Sequence, residues 1–362
     1  MWSVGDVAKS LGFEADGDLT LQVKTASHPA EASPADLALA LDDVHAEALK
    51  EGEAEAAMMA PGADWRAHGL RAVIFAPRPR YAMAGATTLF AAPIDLAPGV
   101  HASAAVAEDA EIGEDVWIGP FTVIGPGARI GRGARICGQV SVGAGAEIGE
   151  SVLLHPGVRI GHAVRIGART RVHHNAVVGG DGFSFVTPET GSVESAKQSG
   201  TIAVGAENTV WARIHSLGAV VVGADVEIGS CATIDRGTVI DTRIGDGAKI
   251  DNQVQIGHNC QVGQNCMLCG QVGLAGSVVL GDRVVLGGQV GVADHTRIGH
   301  DALVMASSGV ATNLKARGIY GGSPALPRDE ITRILLATRR LPRLASDVQS
   351  LKKRLSKGEG TG

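Results

Sequence analysis

Residues 111–150 read EIGEDVWIGPFTVIGPGARIGRGARICGQVSVGAGAEIGE, with an aliphatic side chain at every sixth place: Ile112, Ile118, Ile124, Ile130, Ile136, Val142 and Ile148. The series runs on through Leu154, Ile160, Ile166, Val172 and Val178, and back through Val106, Val100 and Ile94. A second series runs in the same step from Ile244 through Ile250, Ile256 and Val262 to Val310. Between them Val204, Val210, Val222, Ile228 and Ile234 keep the step in another phase, with Ser216 breaking it. Four places after each aliphatic site sits a small or β-branched residue, such as Val116, Thr122, Ala128, Val254, Cys260 and Cys266. The place directly after it is often Gly, where a turn is expected to need permissive backbone.

A period of six matches neither an α-helix at 3.6 nor plain strand alternation. It fits short strands joined by tight turns, one aliphatic and one small residue pointing inward from each strand. Three such strands close a coil of 18 residues, the pattern of a parallel β-helix. Coils stacked at the sheet spacing give a prism roughly 50 Å long.

Composition agrees. The chain has 362 residues and 50 Gly; hydrophobic residues reach 45% and aromatics only 3%, so the core must be built from small aliphatic groups. No apolar run reaches the length of a membrane span. Met1-Trp2-Ser3-Val4-Gly5-Asp6 lacks a basic and an apolar region, so no signal peptide is expected. The net charge of −6 makes the surface as a whole a poor nucleic-acid footprint. Five Cys without a framework spacing fit the reducing cytoplasm.

Residues 1–93 lack the period and read as a small α/β domain. Asp36–Leu49 has helical character, Arg71–Ala76 reads as a buried strand, and Pro77-Arg78-Pro79-Arg80 as a turn or extended segment. Residues 94–323 form the prism. Its phase breaks after Val178, and residues 179–203 are expected to leave it as a functional loop, because Phe183 and Phe185 stand out in an aromatic-poor chain. Residues 324–362 are helical, with Pro342 expected to divide them into two short helices. This tail carries nine Lys/Arg against four acids, giving +5 and leaving −11 on the remainder. It is either a solvated oligomerisation helix or a docking face for an acidic partner.

Chemistry is sought along one edge. His258 follows the inward Ile256 by two places, so it projects outward near a turn; Gly276 lies one coil later and Asp294-His295 one coil beyond that. A neutral imidazole can serve as general base, its reference pKa being ~6.5. A bare Gly N–H can stabilise an oxyanion. On spacing alone, a His at an outward turn of a solenoid is more often simply solvated.

Three further stretches make a resemblance specific: Val177-Val178-Gly179-Gly180-Asp181-Gly182-Phe183, Thr233-Ile234-Asp235-Arg236-Gly237, and Ile250 to Asn259, reading IDNQVQIGHN. With Leu274-Ala275-Gly276-Ser277 they resemble the UDP-3-O-(3-hydroxyacyl)glucosamine N-acyltransferases of lipid A biosynthesis. The resemblance spans nearly the whole chain and implies a left-handed parallel β-helix between a leading α/β domain and C-terminal α-helices. It implies transfer of a 3-hydroxyacyl group from acyl carrier protein to the 2-amine of a UDP-linked, 3-O-acylated glucosamine. It implies no cofactor, no metal and no covalent intermediate. His258 is the implied general base, Asp251 its orienting carboxylate, Gly276 the oxyanion donor and His295 an assisting residue. Asn252, Gln255, Asp181 and Phe183 are implied to contact substrate. Arg333, Arg339, Arg340 and Arg343 are implied to dock the carrier protein, and the family is a homotrimer with sites between chains. Where the family carries Phe, Asn and Tyr around uracil, this chain has Leu39, Asp42 and His45.

Rival readings are a related N-acyltransferase using another acceptor or an acyl-CoA, a zinc enzyme drawing on His295 and His300, and a non-catalytic β-helix scaffold. Cys266-Met267-Leu268-Cys269 is a CxxC, but Cys260 and Cys266 occupy the small inward place and read as core fillers before any metal or redox set.

Overall fold

The computed structural model describes residues 1–92, 96–322 and 328–358. Ile94 and Pro324 lie outside the described residues. The chain divides into two units, Met1–Asp95 and Leu96–Gly362.

The first unit holds a five-stranded sheet in the order Ala15–Gly17, Ala72–Phe75, Ala56–Met59, Asp36–Ala40, Thr25–Ser27, parallel except at the first pair. Helices α1 (Val4–Leu11) and α3 (Pro79–Phe90) pack on one face with Leu37, Met58 and Ile74. Ala38, Ala57 and Trp65 fill the other. The strand expected within Arg71–Ala76 is present. The helix expected over Asp36–Leu49 is not: its first part is a strand, and only α2 (Asp43–Glu47) and a single 3-10 turn follow. Leu37 and Ala38 bury toward opposite faces, and burial on both sides of a parallel sheet overrides the helix propensity of Ala and Leu. Pro79 does not extend the chain but opens α3, where its missing N–H costs nothing.

The second unit is the prism, with three parallel sheets of eleven, ten and nine short strands. Partners lie 18 residues apart, as in Ile112↔Ile130 and Ile130↔Ile148. Ile118, Ile136, Ile228 and Ile256 are fully buried, and Ala128, Ala134, Cys260 and Cys266 fill the small inward places. Each coil buries its apolar row only against the coils above and below, so one continuous core runs the length of the stack.

The glycines after the aliphatic sites work differently from the expectation. The left-handed backbone falls two places later, at residues such as Asp115, Gln139 and Asn259. The glycines are required by close approach: a Cβ at Gly143 would lie 2.5 Å from the backbone nitrogen of His162 in the next coil.

The 18-residue spacing is interrupted after Ile166, whose partner in the next coil is Val222, because that coil contains a long excursion over residues 181–219. Val204 and Val210 belong to it as exposed loop residues rather than coil positions. The excursion carries a hairpin, Phe185–Val186 against Ala212–Arg213, and helix α4 (Ser192–Ser199). A second insertion, residues 236–241, widens the next step to Ile234↔Ile256. The tail is one helix, α5 (Arg328–Gly358), running through Pro342 instead of two short ones. Good helix formers on both sides of the proline continue the helix past one lost hydrogen bond.

Candidate active site

Every strand of the ten-stranded sheet ends at the same edge of the prism. That edge gathers Asp181 and Gly182, the 236–241 loop, His258, Gly276 and Asp294-His295. Both insertions therefore leave the prism where His258 stands.

The imidazole of His258 lies between two glycines. A Cβ on Gly182 would sit 2.8 Å from His258 Cβ, and one on Gly276 would sit 2.6 Å from Cε1 and 2.7 Å from Nε2. Only bare backbone fits at either place. The Ala275 and Ser277 N–H groups donate to the Val292 and His258 carbonyls. Among the described residues no hydrogen bond takes the Gly276 N–H, as at that turn position in most coils; what distinguishes Gly276 is the absent side chain beside an imidazole.

On the other side of the ring, Asn259 Nδ2 lies 3.1 Å and Thr238 Oγ1 3.4 Å from Nδ1. The Thr238 N–H donates to Asn259 Oδ1 at 2.7 Å, which turns the Asn259 amide nitrogen toward the ring. Thr238 and Asn259 were not expected from the sequence, because Thr238 reaches His258 only through the aperiodic 236–241 loop.

Asp235 and Arg236 organise this edge. Gln255 Nε2 donates to Asp235 Oδ2 at 3.1 Å, and Thr233 Oγ1 donates to Gln255 Oε1. Burial raises the Asp235 carboxyl above its ordinary value, opposed by the Gln255 hydrogen bond and by the charge of His258. Arg236 is only 2% exposed. Its backbone N–H donates to the Gly180 carbonyl at the start of the excursion, and its Nε donates to the Gly218 carbonyl at the end. The guanidinium also meets His162 Nδ1 at 2.6 Å. Burial lowers its pKa, while the charge of Asp181 acts in the opposite sense. One buried residue, through its backbone at one end and its side chain at the other, thus closes both ends of the excursion.

Replacing Asp235 by Asn is expected to stabilise the protein and slow it. A carboxylate whose pKa is raised on folding costs stability once ionised. The cost is absent below about pH 4 and grows as pH rises through the folded value. The Asp235→Asn Tm should match the parent in acid and exceed it at neutral pH. Turnover should fall about tenfold with loss of the charge beside His258. Calorimetry at two pH values with steady-state rates checks both; a lower Tm at neutral pH would contradict the sign.

Asp251 is not brought to His258 within one chain. It follows a strand of the eleven-stranded sheet and lies at the preceding edge, where its carboxylate accepts the Asn252 N–H at 2.7 Å. Asn252 Oδ1 accepts the Ser230 N–H at 2.7 Å. Asp251 and Asn252 line a cavity of about 590 Å³ with His173, Glu227, Lys249 and Cys269. The His155 ring stacks with those of His173 and His174, with centroids 4.9 and 4.8 Å away. His295 is joined to the His258 edge through its N–H, which donates to the Gly276 carbonyl. Among the described residues no three His, Cys, Asp or Glu side chains meet as a metal site requires. The Cys260 thiol is buried, donates to the Ala275 carbonyl and is pushed up to about 12 by burial, which suits a core filler.

In the first unit Leu39, Asp42 and His45 line one cavity of about 300 Å³ with His28, Arg80 and Met83. Asp42 caps α2 by accepting the His45 N–H at 2.9 Å and also meets His45 Nδ1 at 2.6 Å. These hydrogen bonds hold its carboxyl below the ordinary range. The His28 ring stands edge-on to that of His45, with centroids 5.4 Å apart.

A family model, bacterial transferase hexapeptide (six repeats), matches residues 109–144, 145–180 and 241–276. A UDP-3-O-acylglucosamine N-acyltransferase of Ruegeria pomeroyi is 48% identical over 98% of this chain and 98% of its own. The chain belongs to the UDP-3-O-acylglucosamine N-acyltransferases. A family member from Pseudomonas aeruginosa is 34% identical over 100% of this chain and 97% of its own. Among solved structures, the Arabidopsis UDP-N-acetylglucosamine acyltransferase is 26% identical with a TM-score of 0.52, covering 62% of this chain and 71% of that one. It shares the left-handed β-helix. The N-acyltransferase family thus extends over both units, including the one that carries Leu39, Asp42 and His45.

Proposed function

We propose that this enzyme moves a 3-hydroxyacyl group from acyl carrier protein to the 2-amine of UDP-3-O-(3-hydroxyacyl)glucosamine, with His258 as general base. The observation that carries this reading is the meeting of the His258 ring with the backbone at Gly276. The amine nitrogen attacks the thioester carbonyl carbon, and the new oxyanion takes the Gly276 N–H. His258 Nε2 receives the proton that the nitrogen loses. The carbon–sulfur bond then breaks and the thiolate leaves, taking that proton from the imidazolium. Substrate and product balance without a covalent enzyme intermediate, so none of the five Cys is needed.

A base at Nε2 must carry its hydrogen on Nδ1. Within one chain Thr238 Oγ1 is the acceptor for that hydrogen, while the Asn259 amide favours the other tautomer. A carboxylate at Nδ1 would select the productive form. Asp251 lies at a neighbouring edge, so its orienting role requires a second copy of the chain. That is the arrangement of a homotrimer with sites between subunits, and Asn252 would enter the site with it.

Gln255, Asp181 and Phe183 flank the same edge and are read as substrate contacts. His45, with His28 and Leu39, is read as the face for the uracil ring. The exposed, basic α5 presents Arg333, Arg339, Arg340 and Arg343 to the acidic carrier protein. No helix among the described residues is long and apolar enough to cross a membrane, and a cytoplasmic setting fits five free thiols.

The test mixes purified protein and UDP-3-O-(3-hydroxyacyl)glucosamine with either 3-hydroxyacyl carrier protein or 3-hydroxyacyl-CoA, and follows the amide by mass spectrometry. Product from the carrier protein is expected. Product from CoA alone would overturn the donor assignment, and no product from either would overturn the reaction.

A further inference from the structure

Beside His258 stands a carboxylate whose demand for a partner the chain meets only in part. Asp235 follows Ile234, which pairs with Ile256 in the next coil, so Asp235 falls level with Gly257 and diagonally beside His258. It is half-buried. Its Oδ2 accepts one hydrogen bond, from Gln255 Nε2 at 3.1 Å. Gln255 is itself fixed by Thr233 Oγ1, which donates to its Oε1, so this chain of hydrogen bonds holds the carboxylate in place. Among the described residues no hydrogen bond reaches Asp235 Oδ1 and no ion pair holds the group.

The titratable groups around Asp235 do not supply the missing partner. Arg236 is next in the chain, but its guanidinium turns away: Nε donates to the Gly218 carbonyl and the rest of the group meets His162. The buried Cys260 thiol donates to the Ala275 carbonyl. His258 acts on Asp235 through charge, without a hydrogen bond between them. A carboxylate partly withdrawn from water with one neutral donor is costly until a cation arrives.

The acceptor brings that cation. An amine whose neighbouring carbons carry oxygen loses its proton near neutrality, as an α-amino group does at about 7.7–8.0. The 2-amine therefore arrives in part as an ammonium ion, with three N–H donors and a full charge. We propose that Asp235 binds the 2-ammonium group of the acceptor and makes the site select an ionised amine over a neutral 2-substituent. The inference rests on the reaction proposed above and names the group that recognises its reacting nitrogen. The proton count then closes. The ammonium passes one proton to solvent and the neutral nitrogen attacks; His258 takes a second proton from it and returns that one to the departing thiolate. Each turnover converts an ammonium and a thioester into an amide, a thiol and one free proton. The neutral amide has no charge for Asp235 to hold, which favours its exit.

The test measures binding without turnover. Full-length protein is titrated by calorimetry with UDP-3-O-acylglucosamine and with UDP-3-O-acylglucose, which carries a 2-hydroxyl in place of the amine, at about pH 6.5 and about pH 9. The parent should prefer the amine by about tenfold at the lower pH, the size of a charge-assisted hydrogen bond, and lose that preference at the higher. Asp235→Asn should bind the two sugars alike at both, with its affinity for the hydroxyl compound unchanged. Asp235→Glu, which keeps the charge, should recover part of the preference. Any charge on His258 is common to parent and variants, so the differences between them isolate residue 235. Equal affinity for both sugars in the parent at both pH values, or the parent's preference surviving in Asp235→Asn, would overturn the proposal; amide formation in the parent would show that the reaction still stands. Binding of neither sugar would overturn both. An amine preference lost in Asp235→Asn, from a parent that forms no amide, would support the recognition and sink the acyl transfer.

Discussion

His258→Ala is expected to lower kcat by about 10²–10⁴, the usual contribution of a positioned general base, while leaving KM within a few fold. The ring lies directly against the backbone at Gly276, where the proposed reaction needs a proton acceptor. His295 stands one coil beyond Gly276 at the same edge, where its N–H donates to the Gly276 carbonyl. Truncation leaves a gap between Gly182 and Gly276, the two glycines that fit only around an imidazole. Imidazole added to the buffer should therefore restore part of the lost rate in the alanine variant. The residue is half-buried at a turn, so the loss of Tm should stay small. Single-turnover rates with and without imidazole, beside a melting curve, check all three. Unchanged turnover in a folded variant would remove His258 from the chemistry.

The prism was legible because each strand states its register twice. Ile124 and Ala128 are both buried, and the same pair of places repeats through the stack. Where the second statement is missing, the six-residue step misleads. Val204 and Val210 have Asn208 and Ile214 four places on, not small residues, and both valines are exposed. Asp36–Ala40 misled for another reason: helix propensity is local, whereas its strand is fixed by partners at Thr25–Ser27 and Ala56–Met59. His258 and Gly276 were legible as a pair because one coil separates them. The same arithmetic separates Asp251 from His258, since about six residues make one side of the prism. His28, Thr238 and the double role of Arg236 were not legible. Each acts across an aperiodic loop, where spacing says nothing about which side chains meet.

Gly276→Ala tests the other half of the site. The glycine does not have positive φ, so alanine meets no backbone strain there. The added methyl carbon would lie 2.6 Å from His258 Cε1 and 2.7 Å from Nε2, well inside contact distance. The ring must swing aside by about 1 Å, a displacement that can cost 10²-fold in rate. The N–H itself remains, so a loss of that size would come from the displaced base and the crowded oxyanion position together. Gly309→Ala is the control, because nothing lies within 4 Å of its added carbon. We expect Gly276→Ala to keep its Tm and its affinity for the UDP-sugar while kcat falls about 10²-fold, and Gly309→Ala to stay within twofold of the parent. If Gly276→Ala turned over within threefold of the parent, the imidazole would have to act from another position. The close packing of His258 on bare backbone would then be a feature of the turn and not of the reaction.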